Sequence, residues 1–460
     1  MNSLDFNLRT VDIVTRMFTD PVLELDPNPL GELIAIEESE KQAAIESCVA
    51  ANKKALNSNA QLATLLKGLG VEPPTKVSPT TGKETYAFSK TDRDFVALQE
   101  HENEEVAKLV AARLRVKSSI NETRAQSYLD VANRGTWPVD LNLSGAKTTH
   151  RLSGGMGGGG NPQNLGRKSP LRKAVIAPDN FWMFAVDSSN IELRIAMCIA
   201  GEWEVVERMH DPDFDLYRLF AAHLYGKTED EVTESERLIG KIAMLSLQYG
   251  TGWQGFMNAS FNWGVEIEAE EAMRIVALYR STFPKIVRVW KQIDYILNKL
   301  RRGEAEGWWM DEIVYANPSV EKGVAGFTMP RTGLSITYPE LRRQDGELSY
   351  TRWAGGRGSA KEDVRIWGAK AFENICQAVA RNVVFEQQVE LDTALTAEFD
   401  PACRTVMSIH DESVCVVPDH VDKQPVLDRA EEIFGRSPEW WPDLPVFGEA
   451  HAGESYADCK

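Results

Sequence analysis

Two short apolar runs that each meet an aspartate constrain this chain more than any other feature of its sequence. Residues 181–186 read FWMFAV and run straight into Asp187. Residues 404–417 read RTVMSIHDESVCVV, which predicts strand, tight turn and strand, with Asp411 in the turn. A carboxylate pinned at the end of a buried strand is rigidly aimed, as metal chemistry requires and surface solubility does not. Two such carboxylates brought together from distant segments repel strongly unless a divalent cation lies between them. Mg²⁺ prefers one or two carboxylates plus water and substrate phosphates, and a pair of metals about 3.5–4 Å apart can activate an attacking oxygen and neutralise a leaving one.

Around these runs the pattern is α+β. A helical stretch is expected from about Leu30 to Leu66, stopped by Gly68 and Gly70. Residues 73–90 (PPTKVSPTTGKETYAFSK) read as a loop or arm with three lysines, and 92–132 as helix again. The glycine run 154–160 (GGMGGGG) lacks the GK[ST] of a phosphate-cradling loop. Residues 213–300 are strongly helical, with Thr228 and Thr233 placed like caps ahead of acidic residues. Strands are expected within 325–353 and one long helix over 362–395. No apolar run approaches the roughly 18 residues of a membrane span, and the first twenty residues hold no signal-peptide core. The six cysteines are scattered without metal-ligand spacing, which suits a reducing cytoplasm. At 460 residues the chain is long enough for about three domains or subdomains.

The net charge of −17 argues against a polyanionic partner, but its distribution argues for one. Between Lys108 and Ile176 twelve basic residues face only three acidic ones, Glu122, Asp130 and Asp140. A basic stripe in an otherwise acidic chain binds a polyanion in one place and repels it elsewhere. A third feature lies in ESERLIGKIAMLSLQY (234–249), where Arg237, Lys241 and Leu245 follow one another at i, i+4 and i+8. They form one stripe, two cations able to grip a phosphate chain and an aliphatic residue able to face a flat ligand.

Taken in order, DSSNIELRIA (187–196), RLIGKIAMLSLQYG (237–250) and SIHDES (408–413) closely resemble motifs A, B and C of family A (DNA polymerase I-like) DNA polymerases. THRLSGG (149–155), NPQNL (161–165), ENICQAVAR (373–381) and GEAHAGESY extend the likeness to about residues 25–457, with phrasing most like the bacteriophage branch. The resemblance implies a right-hand polymerase: a palm sheet with helical thumb and fingers. On that reading residues 1–20 are a lead segment or linker remnant, 21–130 the thumb, 131–210 the first part of the palm, 211–309 the fingers and 310–460 the second part of the palm. The implied activity is template-directed extension of a primer 3′-hydroxyl with dNTPs by two-metal phosphoryl transfer, as in phage genome replication.

The same resemblance assigns residues. Asp187 and Asp411 are the catalytic, metal-binding pair for two Mg²⁺ ions, joined by the backbone carbonyl of Ser188. Glu192 lies beneath the sugar and leaves no room for a 2′-hydroxyl. Arg237 and Lys241 hold the triphosphate, with Lys241 the proton donor to pyrophosphate, and Tyr249 closes the template-base pocket beside Gly250. Arg151, Asn161, Gln163, Asn164, Asn374 and Gln377 contact the duplex, and His410 and Glu412 support the primer end. The sequence departs from the family pattern at Leu245, where Phe or Tyr is usual, at Tyr217, where a phosphate-contacting His is common, and in the two-residue gap between Asn374 and Gln377. Primer–template DNA and dNTPs are the implied partners, in the cytoplasm, of a host cell if the protein is viral. The short lead leaves no room for an exonuclease domain, so proofreading is expected to be lost or supplied by a separate chain, and a processivity factor is a further expected partner. A bacterial-type repair polymerase and a non-catalytic DNA-binding scaffold are the alternatives. A single-subunit RNA polymerase or a reverse transcriptase on the same palm is disfavoured by Glu192 and the framing motifs.

Overall fold

The computed structural model describes residues 3–48, 52–78, 82–155, 160–304, 313–317, 324–329, 331–353 and 361–460. Part of the glycine run, residues 156–159, lies outside them. At the centre is a four-stranded antiparallel sheet of β1 (Phe181–Ser188), β2 (Arg404–Ile409), β3 (Glu412–Pro418) and β4 (Gly448–Gly453), in the order β2-β3-β1-β4. Alternate residues of β1 and β3 feed two different cores. Met183, Ala185, Val414 and Val416 pack with Phe6, Ile13, Val14 and Met17 of the N-terminal helix Ser3–Thr19. Trp182, Phe184, Val186, Cys415 and Val417 pack on the other face with Val426, Ala430 and Ile433 of the helix Lys423–Phe434. Burial on both faces explains why these strands read as continuous apolar runs instead of alternating ones.

The helical half is organised around α1 (Glu234–Leu247), α2 (Pro284–Arg301) and α3 (Gly368–Ala394). Thr233 caps α1 reciprocally with Glu236, and Thr228 forms the same box with Glu231, as the sequence spacing predicts. The long helix α3 joins the two halves. Gly368 begins it so close to α2 that a Cβ there would fall 1.8 Å from the Trp290 carbonyl oxygen.

Several expected elements are cut differently. The helix expected over 30–66 is three helices, Pro27–Ser47, Lys53–Asn57 and Asn59–Gly68, because the Asn52 and Ser58 side chains accept from Ala55 N and Gln61 N and restart the chain. The stretch over 92–132 is likewise interrupted, with its main helices at Glu104–Lys117 and Ile120–Ala132. The arm at 73–90 contains a small hairpin, Thr75–Val77 against Glu84–Tyr86. Residues 362–365, expected to open the long helix, belong instead to the strand Lys361–Arg365, paired with Glu347–Trp353, and only from Gly368 does the chain turn helical. The segment expected as a lead is a helix docked on the sheet, with Arg16 ion-paired to Asp392 at 2.7 Å and Arg404 to Asp20 at 2.6 Å. All six cysteines are buried and none is disulfide-bonded. Among the described residues no helix is long and apolar enough to cross a membrane.

Candidate active site

The two aspartates meet at one end of the central sheet. β1 ends at Asp187–Ser188, and the tight turn His410–Asp411 joins β2 to β3. Ser188 N donates to the Asp411 carbonyl at 3.0 Å, tying the two carboxylate-bearing segments directly together. Asp187 lies opposite Glu412 on β3 and Glu449 on β4, so three carboxylates cross the sheet in one row. Like charges placed directly opposite are destabilising in a sheet. Accordingly burial, then Glu412, pushes Asp187 up to about 6, against the opposing pull of Arg167, whose guanidinium lies 3.7 Å away. Burial likewise raises Asp411 to about 7, opposed by Arg151.

The turn itself is held in a costly conformation. His410 has φ +53°, the left-handed region that side chains other than glycine rarely occupy. Gln163 grips both ends of the turn, donating to the Ser408 carbonyl at 2.7 Å and accepting from His410 N at 3.2 Å. Asn161 supports that grip by accepting from Gln163 N at 3.0 Å. Behind the turn, Glu412 is bound by the buried Arg172 at 3.1 Å and by the Tyr456 hydroxyl, and the Arg172 guanidinium lies 3.7 Å from the centre of the Tyr456 ring.

After β1 the chain enters the helix Ile191–Ala200 through Asn190, also left-handed at φ +53°, whose side chain accepts from the Tyr217 hydroxyl at 2.6 Å. That helix carries Glu192 into the site. Its carboxylate accepts from Arg151 at 2.5 Å and from the Tyr249 hydroxyl at 3.1 Å. The second arm of Arg151 reaches Asp411 at 3.3 Å, so one guanidinium spans two carboxylates.

α1 lays its stripe along the open side. Arg237 is held by Asp215 at 2.5 Å and sits over the Tyr217 ring. Lys241 lies between the Tyr217 and Trp263 rings, 5.7 and 5.6 Å from their centres. Burial, with Arg237 and Arg167 adding to it, holds its ammonium below the usual lysine range. Leu245, 39% exposed, continues the stripe, and Tyr249 packs edge-on against Phe372 at 6.1 Å.

Asp187, Ser188, Asp411, Glu192, Tyr249, Arg151, Gln163, His410 and Glu412 are thus linked in one network, with the α1 stripe beside it. Four residues are engaged elsewhere or stand apart. Asn374 is only 6% exposed and donates to the Tyr338 hydroxyl at 3.1 Å. Gln377 donates to Glu373 at 3.5 Å, and Asn164 is exposed on the surface. Glu412 is consumed by Arg172 and Tyr456. The sequence analysis missed Arg167, Arg172, Tyr456, Glu449, Asp215 and Trp263. The density of arginine and lysine over 167–173 and the GEAHAGESY likeness, which spans Glu449 and Tyr456, were the signals that touched any of them.

A divalent cation fits this chemistry. Two partly buried carboxylates held above their ordinary range are hard oxygen donors short of positive charge, and the Ser188 hydroxyl beside them has no partner among the described residues.

The fold is that of a right-hand polymerase domain. It matches the solved structure of the POL domain of Pol1 from M. smegmatis in complex with DNA primer-template and dNTP, at a TM-score of 0.71 and 18% identity, over 98% of this chain and 70% of that one. Residues 30–307, more than half of the chain, match the model of DNA polymerase family A, and the chain belongs to that family. Similar proteins include the DNA polymerase of Bacillus phage SP02, 26% identical over 297 residues that make up 62% of this chain and 43% of the relative. DNA polymerase I of Pseudomonas aeruginosa is 22% identical across 99% of this chain and 44% of its own length. That of Deinococcus radiodurans is 30% identical across 64% of this chain and 25% of its own. The chain spans less than half the length of these relatives.

Proposed function

We propose that this chain is a DNA-directed DNA polymerase that extends a primer 3′-hydroxyl with dNTPs on a DNA template, in a bacteriophage replication system. The observation that carries the reading is the meeting of Asp187 and Asp411, through the Ser188–Asp411 hydrogen bond, directly beside Glu192 and the Arg237–Lys241 stripe. Asp187, Asp411 and the Ser188 carbonyl would hold two Mg²⁺ ions, which when bound activate the primer hydroxyl and neutralise the departing pyrophosphate. Arg237 and Lys241 bind the triphosphate, and Lys241 gives a proton to the leaving group. Glu192, fixed from two sides by Arg151 and Tyr249, fills the space a 2′-hydroxyl would need. Tyr249 backs the templating base.

The partition follows the same reading: thumb 21–130, palm 131–210 with 310–460, fingers 211–309. The similarity to the phage SP02 polymerase and the phrasing of ENICQAVAR support the phage assignment.

The test is primer extension with Mg²⁺ or EDTA. Asp187→Asn and Asp411→Asn are each expected to lower the extension rate by more than tenfold while primer–template affinity stays within about threefold. A variant that keeps more than about a tenth of the wild-type rate, a barrier change of only ~1.4 kcal/mol, removes the metal-ligand assignment.

A further inference from the structure

We propose, resting on the polymerase reading, that Trp367 and the groove beside it hold the single-stranded template ahead of the templating base. The groove has a volume of about 380 Å³, within the roughly 300–1,000 Å³ of small-ligand sites. It lies between α2, which contributes Asp294 and Asn298, and the three-stranded sheet Arg342–Gln344, Glu347–Trp353 and Lys361–Arg365. Its flat wall is Trp367, 47% exposed.

Three observations give the groove its ligand. The first is position. Gly250, at φ +79°, makes the turn directly after Tyr249, and a Cβ added there would lie 2.6 Å from Ala369 Cβ and 4.0 Å from Trp367 Nε1. The indole edge therefore borders the turn that a template strand must pass once it leaves the Tyr249 pocket. The second is rigidity. Gly368 N donates to Asp294 at 2.6 Å, and Gly368 packs on the Trp290 carbonyl, so the backbone next to Trp367 is locked to α2. The backbone that carries the half-exposed indole is thus held in place, and the ring offers a stacking surface to an unpaired base. The third is charge. Arg343, held by Asn298 at 3.2 Å and in no ion pair among the described residues, puts one guanidinium on the rim, where the other charged groups, Arg365 with Glu347 at 2.7 Å and Asp294 with Gly368 N at 2.6 Å, are engaged within the protein. A flat aromatic wall beside an arginine outside any ion pair is the recognition chemistry of unpaired nucleotides, whose bases stack and whose phosphates pair with arginine. Fully paired DNA buries its base faces in its own stack and has no use for the indole.

The experiment compares primer–templates that carry one or about six unpaired template nucleotides, with 2-aminopurine one position ahead of the templating base. The readout is the ratio of affinities for long and short overhangs within each protein. Wild type is expected to bind the long overhang about tenfold more tightly, the size of one base–aromatic stack, and to quench the probe. In Trp367→Ala the ratio should fall close to one and the quenching should disappear. Trp367→Phe, which keeps a ring and the packing beside Gly250, should retain most of both. A wild-type ratio near one, or an unchanged ratio in Trp367→Ala, overturns the proposal. So does an equal loss on both overhangs in Trp367→Ala, which would make the indole a packing residue for Gly250. A wild-type chain that extends neither template overturns the polymerase reading, and the proposal with it, whereas active wild type with an unchanged ratio overturns the proposal alone.

Discussion

Leu245 stands where the resemblance puts an aromatic ring, and its exposure on the open side of α1 keeps it available to an incoming nucleotide. Leucine can neither stack on the sugar nor place a hydroxyl in the gap left by a missing 3′-hydroxyl. Wild type should therefore reject dideoxynucleotides strongly, and Leu245→Tyr should relax that rejection by about a decade, the worth of one aligned hydroxyl contact. The ratio of incorporation efficiencies for dideoxy and normal nucleotides decides it, and an unchanged ratio removes Leu245 from the site. Lys241 carries a pH prediction. Its ammonium is held below the usual lysine range, so proton donation is complete only below that lowered pKa and fades as pH rises through it. Single-turnover rates from about pH 7 to 10 should fall earlier than an ordinary lysine would require. Lys241→Arg, which keeps the charge but does not titrate there, should be slower and lose that alkaline limb. The stripe these two residues share was legible in the sequence because it lies within one helix. The grip of Gln163 on the turn and the parts played by Arg172 and Tyr456 were not, because they exist only once Gln163 and Arg172 meet segments more than two hundred residues further along the chain.

The strands carrying the aspartates and the capping boxes at Thr228 and Thr233 were readable as elements because each is specified locally, by an apolar run or a four-residue pattern. Boundaries set by tertiary pairing were not. Residues 361–365 become a strand only because Glu347–Trp353 offers them an edge. Between elements, one close backbone approach next to the site is at Gly240 of α1, where a Cβ would fall 2.3 Å from the Tyr217 carbonyl oxygen. Backbone oxygen cannot swing aside, so Gly240→Ala should force α1 away from the helix that carries Tyr217. Helix propensity favours alanine by about 1 kcal/mol, but overpacking costs about 1–3 kcal/mol, and a net loss of stability is expected. Gly31→Ala is the control. It lies in the helix Pro27–Ser47 with nothing within 4 Å of the new Cβ, so the propensity gain should stand alone and stabilise by up to about 1 kcal/mol. Denaturant midpoints for the two variants should move in opposite directions.

Across the whole molecule, the basic stripe inferred from composition is smaller than its residue count. Arg113 is buried against the Leu56 carbonyl, Arg115 is paired with Glu37 and Glu40, Lys108 with Glu104, and Arg151, Arg167 and Arg172 serve the carboxylates of the site. Arg134 bonds to the Asp130 carbonyl. The five that remain, Lys117, Arg124, Lys147, Lys168 and Lys173, have no ion pair among the described residues, and they run from the two helices Glu104–Lys117 and Ile120–Ala132 to the loops flanking the site. Each phosphate neutralised by such a cation releases condensed counterions, and log K falls with log salt at about −0.9 per contact. Five contacts predict a slope near −4.5 for primer–template binding, where a stripe of twelve would give a slope near −11. Replacing Lys117 or Lys168 with alanine should flatten the slope by about 0.9 and weaken binding alike for every sequence. Titrations of a labelled primer–template over a range of salt measure both quantities. A slope near zero would place the duplex away from these five residues, and a slope near −11 would mean that DNA binding breaks the internal pairs that hold the other seven.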